Sequence, residues 1–281
     1  MRGAAIILLA TTLTAGAAIA APSVRLEPLW SLEGFEDPES VAVSADGKTL
    51  FVANVAGEGD AVDGRGFISR VSRDGKLLQK EWVGGMDGPK GGVVAGDRLY
   101  VSDITRLVEI DIPTGRIVGR YPAPDAKFLN DVAVAPDGTV LVADSGGAKI
   151  FALKAGVMVD WAAEPLLRAI NGLLPEPDRL VITTMAGKLL AMDWKSHAIT
   201  VLADGIGQGD GVARLDNGHY LVSEWPGRLF EFAPGGAIDT LIDSRQAGTY
   251  INDFIRLGDV LLVPNWKPGR LNAYRIAPSR P

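Results

Sequence analysis

The sequence contains no cysteine and only two histidines. The absence of cysteine excludes disulfides, thiolate catalysis and cysteine-based zinc sites. His197 and His219 fall in a predicted outer hairpin and a predicted second strand, away from the polar column described below, which argues against Ser-His-Asp catalysis. A fold without disulfides depends on its own apolar core, and 281 residues are enough to bury one.

The chain also lacks an excess of basic residues. It has 28 Lys and Arg against 34 Asp and Glu, and a formal net charge of −6. A nucleic-acid partner would require a basic stripe, so none is expected. Beyond the N-terminal segment no apolar run reaches the ~20 residues of a membrane span, so the mature chain is expected to bind no membrane. We expect a monomer that acts on a small molecule.

The first twenty residues have the composition of a secretory signal peptide. Arg2 precedes a run of small apolar residues and leucine, and Ala18-Ile19-Ala20 matches the A-x-A cleavage pattern. We therefore expect cleavage near Ala20, a periplasmic or secreted protein, and a single domain over residues 21–281. An uncleaved membrane anchor is the alternative.

Short apolar strands separated by turn residues recur along the mature chain. Residues 40–54, 132–144 and 212–224 each read as two alternating strands joined by Asp-Gly or Asn-Gly, a strong hairpin signal. Third and fourth strands follow, and the unit repeats roughly every 40 residues, which is typical of a β-propeller. The sixth unit has three strands, so residues 24–32 are predicted to close the ring. The prediction is an all-β, six-bladed β-propeller with four antiparallel strands per blade; a stack of ordinary antiparallel sheets is the alternative.

The starts of the six first strands align in one column of polar residues. Because the first strand of each blade lines the central channel, these residues should converge on one mouth. The column consists of Glu39, Lys90, Asn130, Asn171, Asp210 and Asn252. The antiparallel second strands end at the same face, and a second polar ring is expected there, made of Asn54, Asp103, Asp144, Thr184, Glu224 and Asn265.

The chemistry of the first column suits a hard cation. Glu39 and Asp210 offer carboxylates, and Asn130 and Asn171 offer amide oxygens, which are the donors that calcium prefers. Magnesium, manganese or zinc are alternatives to calcium. The residues alone leave a second interpretation open, in which Asn and Asp simply cap strands and turns.

Four short motifs resemble those of the gluconolactonase family, which includes regucalcin (senescence marker protein) and luciferin-regenerating enzyme; calcium-dependent organophosphate hydrolases share the same six-bladed plan. The motifs lie at residues 37–40, 130–138, 170–173 and 209–213. The resemblance implies that Glu39, Asn171 and Asp210 hold one divalent metal ion, most simply calcium. It also implies that Asn130 lies beside both the metal and the substrate.

Two positions depart from that family. Sugar-lactone members place an Arg two residues before the third-blade Asn, where this chain has Phe128, so a less polar lactone or ester is expected. Lys90 stands in the column and is expected to bind a substrate carboxylate or the developing oxyanion. It would instead replace the metal if it paired with Glu39 and Asp210. Asn252 is expected to contact the substrate.

The expected function is exported, metal-dependent hydrolysis of a lactone or ester. The expected base is a metal-bound water or a carboxylate, Asp210 in the first place and Glu224 or Asp103 as alternatives. A non-catalytic periplasmic propeller that binds a ligand or protein, and a metal-assisted lyase, are the competing functions. The Gly- and Asp-rich residues 56–66 are predicted to form a mobile flap over the mouth.

Overall fold

The computed structural model describes residues 22–236 and 238–279, and over these residues the chain forms a ring of six four-stranded antiparallel sheets. The all-β, six-bladed propeller is thereby confirmed. The predicted signal peptide lies outside the described residues. Within them, no helix has the length and apolar character needed to cross a membrane.

Each sheet is one blade, and the strands are numbered in chain order. Blade 1 contains β2 (Pro38–Val43), β3 (Thr49–Asn54), β4 (Gly66–Ser72) and β5 (Leu77–Met86). Blade 2 contains β6 (Pro89–Ala95), β7 (Arg98–Asp103), β8 (Arg106–Asp111) and β9 (Arg116–Pro122). Blade 3 contains β10 (Leu129–Val134), β11 (Val140–Asp144), β12 (Lys149–Lys154) and β13 (Val157–Ala163).

The second half of the ring repeats this order. Blade 4 contains β14 (Ile170–Pro175), β15 (Arg179–Thr184), β16 (Lys188–Asp193) and β17 (Ile199–Asp204), preceded by a 3₁₀ turn at Pro165–Leu167. Blade 5 contains β18 (Gln208–Arg214), β19 (Tyr220–Trp225), β20 (Arg228–Phe232) and β21 (Ile238–Asp243). Blade 6 contains β22 (Ile255–Leu257), β23 (Val260–Asn265), β24 (Arg270–Pro278) and, as its outer strand, β1 (Val24–Glu33).

The core lies between the blades. The described residues contain six buried apolar clusters, and each draws its members from two adjacent blades. Strand β11 is buried at every position because the neighbouring blades cover both of its faces, whereas β9, at the outside, alternates between half-buried and exposed residues. No blade can bury its apolar faces alone, so the ring is expected to be stable only as a whole.

The ring is closed by pairing of the two ends of the described chain. Strand β1 is antiparallel to β24, with a register that runs from Val24 opposite Pro278 to Glu33 opposite Arg270, which confirms the predicted closure. The structure adds an anchor in blade 5, because the buried Glu231 carboxylate accepts the backbone N–H of Ser23 at 2.8 Å. The edge that an unpaired β24 would expose is therefore covered.

The inner strands share a β-bulge just after their first paired residue. In β10, Leu129 pairs with Asp144 and Val132 pairs with Val142, so the inner strand has one extra residue. The same irregularity occurs in β2, β6, β14 and β18. A bulge interrupts the hydrogen-bond ladder and re-aims the side chains within it. In each of these five strands the bulge begins at the residue of the predicted polar column.

Candidate functional site

The six residues of the first column occupy equivalent positions around the channel. Glu39, Lys90, Asn130, Asn171 and Asp210 sit at the bulges of the inner strands, and Asn252 lies between the Ile251–Asn265 bridge and β22. All six are 3% to 6% exposed. The residues found by aligning the six repeats of the sequence therefore form a buried polar ring at one end of the channel.

Three oxygen atoms of this ring have no hydrogen-bond partner among the described residues. They are Glu39 Oε2, Asp210 Oδ1 and Asn252 Oδ1, and all three are buried. They come from blades 1, 5 and 6, which are neighbours in the closed ring. Leaving a buried acceptor unsatisfied costs about 1–3 kcal/mol, and more for a charged group, so three in one ring favour a bound positive group.

The carboxylates of the ring are also electrostatically strained. Burial, reinforced by the nearby charge of Asp210, raises the pKa of Glu39 well above its ordinary value, although Lys90 opposes this shift. Burial and the charge of Asp131 raise the pKa of Asp210 to about 7. A cation between these groups would relieve both causes.

Two carboxyl groups that the sequence analysis missed lie directly after the column. Asp131 and Asp253 follow Asn130 and Asn252, and burial raises the pKa of Asp131 to about 7 and that of Asp253 well above its usual range. Asp131 Oδ2 accepts the N–H of Leu173 from the next blade at 2.6 Å. A comparison of the residues that directly follow the column positions would have found them, because this residue is Ser or Gly in the other four blades.

Glycines at that position let neighbouring inner strands approach each other. A Cβ on Gly91 would lie 2.5 Å from the Asp131 Cα, and a Cβ on Gly172 would collide with the carbonyl oxygen of Asp210. Side-chain hydroxyls then join the blades, since Thr183 Oγ1 donates to that same Asp210 carbonyl. The glycines that follow Lys90 and Asn171 are thus required by the packing of the blades around the site.

The donor set fits a divalent cation. Glu39 and Asp210 supply two carboxylates, and Asn252 and Asn171 supply amide oxygens from the adjoining blades. No group of three His, Asp or Glu side chains with metal-binding geometry occurs in the described part of the chain. Two carboxylates with neutral oxygens match a hard ion such as calcium, which takes amide carbonyls and waters as further ligands. The Asn130 side chain contacts the residue that directly follows β11, the next strand of its blade, since its Nδ2 donates to Ser145 Oγ at 3.4 Å.

Lys90 is turned toward the flap. Its Nζ donates to the carbonyl oxygens of Gly59 at 2.6 Å and Gly88 at 3.2 Å, and it lies 4.5 Å from the centre of the Phe128 ring. Burial lowers the pKa of Lys90, with Glu39 acting in the opposite direction. The ammonium therefore binds backbone oxygens, and no ion pair with Glu39 or Asp210 forms among the described residues.

The predicted flap joins β3 to β4 at the mouth face, as expected from its position in blade 1. Two contacts from blade 2 fix it: Lys90 binds the Gly59 carbonyl, and Asp87 Oδ1 accepts the N–H of Gly64 at 2.9 Å. The Asp87 carboxylate is in turn paired with Arg106 at 2.5 Å. Whether the flap moves remains a prediction.

The second polar column does not line the mouth, which corrects the expectation of two converging rings. Asp103 is 1% exposed, and its Oδ1 accepts the N–H groups of Asp87 and Gly88 at 2.8 Å each. Asp144 Oδ1 likewise accepts the N–H of Phe128 at 2.8 Å. These acceptors hold the loops that lead into the inner strands, so they position the residues of the polar ring without belonging to it.

The alternative bases are occupied. The Asp103 carboxylate is ion-paired with Arg106 at 2.8 Å, and the Glu224 carboxylate is ion-paired with Arg228. Each of these carboxylates is thus already engaged by a guanidinium group of its own blade. Asp210, with one oxygen free of hydrogen bonds, is the remaining carboxylate of the sequence prediction that is suited to this role.

The far half of the channel has a different character. A cavity of about 510 Å³ opens there, lined mainly by apolar residues from the later parts of the inner strands, with four charged residues, Asp131, Asp253, Arg214 and Arg256, among its lining. The polar ring is therefore confined to one end.

A β-propeller with a buried ring of carboxylates and amides at one end of its channel is the class that fold and site define. No protein-family model and no curated protein matches the sequence. Solved structures do match. They include selenomethionine-substituted virginiamycin B lyase from Staphylococcus aureus, with a TM-score of 0.63 and 14% identity over 92% of this chain and 89% of that chain.

Two further structures are similar. One is a catalytically inactive histidine-to-alanine variant of virginiamycin B lyase from Staphylococcus aureus with quinupristin (TM-score 0.61, 12% identity, 90% of this chain and 99% of that chain). The other is a streptogramin B lyase (TM-score 0.61, 11% identity, 90% and 98%). At these identities the likeness shows the propeller fold. The finer resemblance to gluconolactonases stays a prediction.

Proposed function

We propose that this protein is an exported enzyme that uses one divalent cation, most simply calcium, to open a lactone or ester by hydrolysis. The observation that carries the proposal is the set of three unpartnered, buried oxygens on Glu39, Asp210 and Asn252. A ring that only capped strands would satisfy these atoms within the protein.

The cation would be held by Glu39, Asp210, Asn171 and Asn252. We assign Asn252, which the sequence analysis expected to contact the substrate, to the ligand set because its buried Oδ1 has no partner among the described residues, and we leave Asn130 at the edge of this set. When bound, the cation supplies a Lewis acid that polarises the ester carbonyl.

The remaining groups of the mouth act on the substrate. Asp210 accepts the proton of the attacking water, because the bound cation would keep its carboxylate deprotonated and close to that water. Lys90 donates a hydrogen bond to the developing oxyanion once it leaves the Gly59 carbonyl. Phe128, whose ring lies beside Lys90, offers the acyl or alcohol part an apolar face.

Elimination is the second candidate, because the similar structures are lyases of the same fold. One of them is inactive when a histidine is replaced by alanine. In this chain His219 pairs with Glu231 and His197 stacks on Trp161, and neither belongs to the column. A histidine base is therefore not available in the ring, which favours hydrolysis.

The test is turnover of calcium-loaded protein against aliphatic lactones, sugar lactones and aryl esters, compared with chelator-treated protein. Product mass separates hydrolysis, which adds one water, from elimination, which adds none. We expect cation-dependent turnover of a moderately apolar lactone with addition of water. Tight calcium binding without turnover of any substrate would instead indicate a binding propeller.

A further inference from the structure

Aromatic side chains cluster at the mouth face of blades 5 and 6. Trp225 lies at the end of β19, Trp266 follows the end of β23, and Tyr250 lies two residues before Asn252. The ring of Trp225 lies 5.3 Å from that of Tyr250 and 6.3 Å from that of Trp266, both edge to face. All three side chains are partly buried, so each keeps an accessible surface.

Trp266 borders a cavity of about 310 Å³ between blade 6, the start of blade 1 and the flap. Asp37, two residues before Glu39, lines the same cavity, as do Gly57 and Arg65 of the flap. The cavity therefore lies beside the start of β2, the strand that carries the proposed cation ligand Glu39. Trp266 packs edge to face on Trp225, which in turn packs on Tyr250.

The charges of this cavity are paired except for one. Asp37 is ion-paired with Lys267, and Glu36 is ion-paired with Lys80 at 2.7 Å. The guanidinium of Arg65 makes no ion pair with any described residue. A cavity with one aromatic wall and one unpaired guanidinium is complementary to a planar ring that bears an acidic group.

We infer that Trp266 and Arg65 form a subsite for an aromatic carboxylate portion of the ligand, with Trp225 and Tyr250 as supports. The inference rests on the proposed function only in placing the reactive bond of that ligand at the polar ring. The ring of the ligand packs on the Trp266 indole, and its carboxylate pairs with Arg65. Aromatic packing adds to the burial of apolar area and so selects an aromatic ring over a saturated one.

A second tryptophan pair provides a matched control. Trp161 lies edge to face with Trp194 at 6.0 Å, and both border a cavity of about 290 Å³ at the opposite face. That cavity has no basic residue among its lining and contains Asp137. Cavity size and tryptophan packing are therefore matched, while the charge and the distance from the polar ring differ.

The experiment is calorimetric titration of the folded protein with 2-naphthoate in the presence of chelator. We expect binding that weakens about tenfold in Trp266→Leu and about threefold in Arg65→Gln. Trp161→Leu should bind as the unaltered protein does. Decahydro-2-naphthoate, the saturated analogue of the same shape class, and 2-naphthylmethylamine should bind more weakly than 2-naphthoate.

Equal weakening in Trp161→Leu, equal affinity for the saturated acid, or no binding by the unaltered protein at millimolar 2-naphthoate would each overturn the inference. If Trp266→Leu melts at a lower temperature, Trp266→Phe, which keeps a ring, should restore most of the affinity. No ester and no cation is used, so failed turnover leaves this result standing. A negative result here leaves cation-dependent turnover untouched.

Discussion

The two ends of the central channel are built from the same six strands and yet are lined by different kinds of residues. At the mouth the strands begin with bulges, and the ring contains unpartnered oxygens and carboxyls with raised pKa values. Two residues further on, the strands turn regular and apolar, as at Val132 and Val212, and line an open cavity. One strand therefore supplies binding groups at its start and packing groups at its end.

The sharpest test of this comparison uses two positions of β18. Asp210→Asn should lower turnover at least about a hundredfold, because Lewis-acid assistance contributes several kcal/mol to the transition state. Without cation it should melt no lower than the unaltered protein, since a buried carboxylate without a partner is removed. Turnover and thermal unfolding measure the two effects.

Val212→Ala should do the reverse. The side chain is 8% exposed and belongs to the cluster between blades 4 and 5, so its truncation should cost about 1–3 kcal/mol of stability with turnover retained. If turnover disappears in Val212→Ala while the protein stays folded, the functional division of the channel is wrong.

Calcium should protect the mouth end specifically. At a hundredfold excess over the dissociation constant, a ligand of the folded state adds about 2.7 kcal/mol to the free energy of unfolding. We expect this gain in the unaltered protein and in Asp137→Asn, an exposed turn residue, and its loss in Glu39→Gln. Calorimetry of protein freed of metal provides the measurement, and a gain that persists in Glu39→Gln would place the cation elsewhere.

Proton binding should partly replace the cation. Burial raises the pKa of Asp131 and of Asp210 to about 7, above their ordinary value of 3.8. The folded state therefore holds these protons more tightly than the unfolded state, and the associated stability is lost as pH rises through about 7. In chelator, the melting temperature should rise as pH falls from 8 to about 5.5.

Asp210→Asn should shrink that pH dependence, and calcium at pH 8 should restore the stability that deprotonation removes. A metal-free melting temperature that is constant across this range, or that falls with pH, would mean that these carboxyls are not strained in the folded protein.

The smallest effect is expected at the flap. Lys90→Met removes the hydrogen bond from the ammonium to the Gly59 carbonyl, and such a bond contributes about 1.5–3 kcal/mol. Cleavage of residues 56–66 by a protease should become about tenfold faster, because cleavage follows the population of the opened state. Lys149→Met, which removes a cation from blade 3, is the control, and equal cleavage rates in both variants would refute the contact.

The sequence was informative where the repeat itself determines position. Blade number, the closing strand and the column from Glu39 to Asn252 all follow from aligning hairpins, because equivalent residues of a repeat occupy equivalent places. The bulges did not follow from it, since an extra residue in one strand is visible only once its partner is known. The second column was misplaced for the same reason: its direction depends on which loop lies above Asp103 and Asp144.

Contacts between distant segments could not be predicted from the sequence either. The contact between Lys90 and the Gly59 carbonyl could not be predicted, because Gly59 belongs to the insertion of another blade. The aromatic cluster of Trp225, Tyr250 and Trp266 has no sequence pattern, because two blades contribute to it. Asp131 and Asp253 were passed over since the repeat puts small residues at most of the equivalent positions.

The pairing of β1 with β24 has a topological consequence. The N–H of Ser279 donates to the carbonyl of Ser23 at 2.9 Å, so the two ends of the folded segment touch. A linker of a few residues could join them, and the polypeptide could then be opened at the surface turn of any other blade, as circular permutation tolerates exposed turns. The strand pair that closes the ring would then lie in a different blade, while the residues of the polar ring would stay the same. The folded structure therefore does not depend on which blade comes first in the chain.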